Sequence, residues 1–70
     1  MPDLSELKQQ YNEVLAREKK AEVYLDNESI PYERRLKWYA EFVKILRKMN
    51  DLLALIGPCS REERINGFEV

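Results

Sequence analysis

The apolar residues of this chain fall into two long periodic runs separated by one short polar break. In the first run the series 4, 7, 11, 14, 18, 21, 25 advances by threes and fours, and Glu18 is its one interruption. That spacing marks one face of an α-helix. Asp3 stands before the first apolar residue, and Glu6 follows three positions later, a box-like pattern for a helix start. Leu4, Leu7, Tyr11, Val14, Leu15, Ala21 and Leu25 make a narrow stripe, and the remaining faces are charged. The pattern predicts an amphipathic helix over about residues 3–26.

The break is DNESIP, residues 26–31. Asp, Asn and Ser side chains compete with helical hydrogen bonds, and Pro31 lacks an amide donor. Proline suits the first turn of a new helix, with Ser29 or Ile30 as the expected cap. A turn over 27–30 this short makes the flanking helices antiparallel neighbours. Ile30 and Tyr32 are expected to pack back onto Leu25.

The second run extends from about Pro31 to Ile56, with Gly57 past its end and Pro58 as a stop. Its a and d positions read Tyr32, Arg35, Tyr39, Phe42, Leu46, Met49, Leu53 and Ile56. Trp38, Ile45 and Leu52 occupy g positions, and Leu36 and Val43 occupy e positions. Glu33, Arg34, Lys37, Glu41, Lys44, Arg47, Lys48 and Asp51 are left for solvent. This apolar face is wider than the stripe of the first helix can cover.

Residues 58–70 form a tail. Ser60 followed by Glu63 is a capping box and predicts a short helical turn over 61–65, ended by Asn66-Gly67. Phe68 and Val70 are expected to dock on the end of the bundle. The alternative is a short linear segment for a partner.

The predicted fold is therefore all-α, an antiparallel two-helix hairpin over 1–57 with a short C-terminal appendage over 58–70. Seventy residues build only a small core. The usual reinforcements of small domains are restricted here. One cysteine allows no intrachain disulfide, and the absence of histidine removes His/Cys zinc sites. Oligomerisation remains. Leaving Trp38, Ile45 and Leu52 in water forgoes about 1.5–3 kcal/mol for each. The economical answer is a homodimeric four-helix bundle, with Trp38, Phe42, Ile45, Met49, Leu52 and Ile56 as its interface. A tail folded over the extra seam of a monomer is the simpler alternative, and trimers or a different protein partner are others.

Charge changes this picture little. Residues 1–30 carry four basic and seven acidic residues, whereas residues 31–50 carry six and two. Opposite balances suit two helices packed side by side. Lys37, Lys44, Arg47 and Lys48 share an outer face that a phosphate backbone could follow, so a nucleic-acid-associated regulator is the alternative function. No helix-turn-helix spacing or glycine-rich phosphate loop accompanies them.

Candidate chemistry is sparse. Glu18 and Glu22, then Glu22 and Asp26, are spaced four apart, as in carboxylate metal sites, but they lie among lysines on a face that reads as solvated. Glu13 with Arg17 and Glu33 with Lys37 read as ordinary surface pairs. Glu18 is expected to set register, to meet an arginine such as Arg35, or to face water. Cys59 has no histidine to activate it. No cofactor, metal or catalytic residue is expected. The start of the chain lacks a signal-peptide pattern, and its longest apolar run, LLALI at 52–56, is far short of a membrane span. The sequence thus predicts a small, non-enzymatic, cytoplasmic interaction or adaptor module acting through an apolar helix face.

Overall fold

The computed structural model describes residues 3–69. They form three helices, α1 (Leu4–Leu25), α2 (Tyr32–Ile56) and α3 (Arg61–Asn66), with no strand among the described residues. Asp3 is extended and accepts a hydrogen bond from the Glu6 amide at 2.8 Å, which satisfies one of the free donors that open α1.

In the turn, the Asn27 side chain accepts from both the amide and the hydroxyl of Ser29. With its hydroxyl spent there, Ser29 does not cap α2. Nor does Ile30: the cap is Pro31, whose carbonyl accepts from the amides of Arg34 and Arg35. The last turn of α1 contains no basic residue. Arg35 reaches across from α2 instead, and its Nη1 donates to the Leu25 carbonyl at 3.4 Å. This employs a cation at the negative end of α1. Tyr32 is exposed, and its ring centroid lies 5.8 Å from the Arg35 guanidinium carbon.

α1 and α2 pack against each other along the hairpin. The core is gathered at the end away from the turn. Leu7, Tyr11 and Leu15 of α1 meet Leu52 of α2 and Phe68 of the tail, with Val14, Met49, Leu53, Ile56 and Cys59 packed around them. Towards the turn the α1 seam continues through Glu18, Ala21 and Leu25, all buried.

Two glycines with positive φ end the later helices. Gly57 (φ +93°) follows α2, and Gly67 (φ +98°) follows α3. These are backbone conformations that side-chain-bearing residues adopt only under strain. α3 is one residue longer than the sequence suggests. Its capping box is complete, with Ser60 Oγ accepting from the Glu63 amide and Glu63 Oε1 accepting from the Ser60 amide. Those bonds hold the Glu63 carboxyl below its ordinary pKa.

Candidate interaction surface

α2 carries two apolar seams, and the structure assigns them opposite fates. The inner seam is Arg35, Trp38, Phe42, Ile45, Met49, Leu52 and Ile56, advancing by threes and fours. Leu52 is buried in the hairpin core, and Met49 and Ile56 pack against it. Arg35, Phe42 and Ile45 are half-buried. Trp38 remains 45% exposed, with its ring tilted against Tyr24 of α1 at 5.4 Å between centroids.

This narrows one part of the sequence reading. Of the six residues assigned there to a second hairpin, Met49, Leu52 and Ile56 pack in the hairpin's own core, whereas Trp38 stays 45% exposed. Leu52, at 2% exposure, has no surface left to offer a second chain. The reason is geometric. Adjacent seams of one helix share the same period, so periodicity predicts their combined width but not which of them faces the partner.

The outer seam is Tyr32, Leu36, Tyr39, Val43 and Leu46, advancing by fours and threes. Each of these residues is more than a third exposed. The row stops at Asn50, beyond which Leu53 is half-buried against the core. The outer seam therefore runs from the turn to the region where the tail is packed, and no element of the hairpin lies over it.

Whole-molecule dimensions agree. The accessible surface is 5564 Å², whereas a folded monomer of this mass exposes roughly 4,600 Å² on the usual scaling. The radius of gyration is 13.7 Å, against about 11 Å for a compact chain of this length. The hairpin is elongated, 41 × 22 × 15 Å, and exposes more surface than its mass requires.

Glu18 sits in the α1 seam at 8% exposure. Burial, followed by a side-chain hydrogen bond with Glu22 and that residue's charge, pushes its pKa up to about 7, against a lesser opposing influence of Lys19. Arg35, the expected partner, is engaged with Leu25, and its Nε is buried without a hydrogen bond.

The remaining candidates are distributed as follows. Lys37, Lys44, Arg47 and Lys48 are all exposed, and Lys44 pairs with Glu41 at 3.2 Å. That is the ion pair formed among the described residues; the expected Glu13–Arg17 and Glu33–Lys37 pairs do not close. No group of three metal-ligating side chains occurs among the described residues. Cys59 is half-buried beside the core. Phe68 is buried against Tyr11, edge to face, with centroids 5.3 Å apart. Val70 lies outside the described residues.

Asn12 is the residue that sequence reasoning missed. Its Oδ1 accepts from the Phe68 amide at 2.7 Å, and its Nδ2 donates to the Phe68 carbonyl at 2.8 Å. Nearby, the Tyr11 hydroxyl donates to the Arg64 carbonyl. Burial, with charge on Cys59 adding and Arg64 opposing, pushes the Tyr11 phenol above its ordinary pKa. A polar residue beside the α1 stripe carries no periodic signal, and its partner lies 56 positions away.

Among the described residues, no helix is long and apolar enough to cross a membrane. Comparison of the chain with protein-family models, with curated proteins and with solved structures finds no match.

Proposed function

We propose that this chain is a small non-enzymatic interaction module, and that the outer seam of α2 pairs with the same seam of a second copy to form a four-helix bundle. The observation that carries this reading is the row Tyr32, Leu36, Tyr39, Val43 and Leu46, exposed on one face of a helix whose other apolar seam is more deeply buried, fully so at Leu52. A contiguous apolar face of this kind is unusual on a monomer and marks an interaction surface. Area supports a second copy as its occupant. The surface in excess of a typical monomer is about 950 Å², similar to the roughly 800 Å² that each partner buries in a standard interface. Two hairpins joined through their α2 helices satisfy both chains at once, because a two-fold interface uses the same patch twice.

The nucleic-acid alternative draws less support. Glu33, Glu41 and Asp51 interleave with Lys37, Lys44, Arg47 and Lys48 along the polar face of α2, so the stripe is not uniformly positive.

Molar mass by light scattering across a dilution series tests the reading. The parent is expected at twice the chain mass. Leu46→Glu is expected at the chain mass with its helix content retained, because Leu46 faces outwards. A parent that is monomeric at every concentration would exclude self-pairing.

A further inference from the structure

The tail is held in an unusual way. α3 has no buried residue, so the appendage is attached chiefly through the single buried side chain of Phe68. On α1, Asn12 grips both backbone polar groups of that residue, as a neighbouring β-strand would. Tyr11 receives the ring edge to face, and Lys8 Nζ stands 5.4 Å from the ring centroid. Gly67 has a φ of +98°, which strains any residue with a side chain, and a Cβ there would stand 2.8 Å from Asn12 Oδ1 and press on the amide that grips Phe68.

These are the components of a peptide-recognition site. Two-point bonding to the backbone selects an extended segment, and an aromatic pocket beside it selects one side chain. The cation above the ring favours an aromatic over an aliphatic residue.

We infer that the Lys8–Tyr11–Asn12 face of α1 is a binding site for an extended protein segment bearing a Gly-aromatic pair, and that the chain's own Gly67–Phe68 occupies it as a built-in competitor. The partner's chemistry is read from the seated tail: a glycine at positive φ, then an aromatic residue whose amide and carbonyl both meet Asn12. A tethered ligand on a short linker acts at an effective concentration in the millimolar range, so a partner segment succeeds where the tail is released or the partner is linked to a second contact. This inference uses α1 and the tail, and stands apart from self-pairing through the outer seam of α2.

The test is fluorescence anisotropy of a labelled peptide, SREERINGFEV, titrated with the full chain. Phe68→Ala vacates the site and is expected to bind the peptide at least tenfold more tightly than the parent. Adding Asn12→Ala is expected to remove at least tenfold of that affinity. So is changing glycine to alanine in the peptide, a change that a merely sticky surface would not register. Absence of binding at millimolar peptide, or equal affinity for the alanine peptide, would overturn the inference. Should Phe68→Ala fail to fold, Gly67→Ala in the chain opens the clamp while keeping the ring, and the same titration applies. In the parent itself, excess unlabelled peptide is expected to displace the chain's own tail and move the Phe68 amide resonance to its free position; an unchanged Phe68 resonance would count against the site.

Discussion

The two ends of the hairpin solve the same packing problem with different means. At the tail end, Leu7, Tyr11 and Leu15 are closed in by Leu52 on one side and Phe68 on the other. Three segments of chain surround one core. At the turn end there are only two. The α1 seam there is Glu18, Ala21 and Leu25: a carboxylate, a small residue and one leucine. Opposite it, Trp38 is 45% exposed, Phe42 is half-buried, and Arg35 keeps an unpaired Nε. Two helices alone enclose little, because each presents a curved surface to the other. A third element completes the core where it reaches, and the outer seam of α2 stays open where it does not.

Substitutions can break this contrast. The largest effect is expected from Phe68→Ala, which removes the closing ring. Loss of a buried phenylalanine costs about 3–5 kcal/mol. Urea unfolding measures it, and hydrogen exchange should speed first around Tyr11 and Leu15, leaving the Tyr24–Trp38 contact least affected. Uniform loss along both helices would show that the ends are not distinct.

Glu18 gives the next effect, at the other end. Its carboxyl has a folded-state pKa of about 7 against an ordinary 4.5. A raised carboxyl favours the protonated form, so its contribution to stability is complete below about pH 4.5 and is lost as pH rises towards 7. The shift corresponds to at most about 3.5 kcal/mol. Glu18→Gln is expected to remove this slope and to be more stable than the parent at pH 7.5. Thermal melts from pH 4 to pH 8 read it directly, and parallel curves for the two proteins would deny the burial of the charge.

A smaller and more local effect is expected at α3. Ser60→Ala breaks the capping box and costs about 1 kcal/mol. Its consequence should be confined to exchange rates in 61–67, with α1 and α2 unchanged. A loss of stability equal to that of Phe68→Ala would mean that α3, and not the ring alone, holds the tail end together.

Much of this was legible in the sequence, for reasons that mark its limit. The 3–4 spacing of Leu7, Tyr11 and Leu25, the Asp3 and Ser60 caps, and the glycine after each later helix act through neighbouring residues, so local pattern reveals them. The choice between the two seams of α2 depends on the rotation of one helix about its axis, which spacing leaves open. The placement of Leu52 inside the hairpin, and of Val43 and Leu46 outside, therefore had to come from the fold. Asn12 and Arg35 are of the same kind. Each serves a backbone group on another segment, and the sequence near either residue does not point to that group.

The central claim is that the outer seam of α2 meets its own copy, and a single introduced cysteine tests it most directly. Tyr39 lies at the centre of the Tyr32–Leu46 row, so it falls close to the two-fold axis whether the paired helices run parallel or antiparallel. With Cys59→Ser removing the native thiol, Tyr39→Cys is expected to form a covalent dimer rapidly under mild oxidation. Glu41→Cys, on the polar side of the same helix, is expected to remain monomeric under identical conditions. Rapid cross-linking at position 39 alone is the predicted result. Equal yields at both positions, or none at 39, would contradict the pairing of the outer seams.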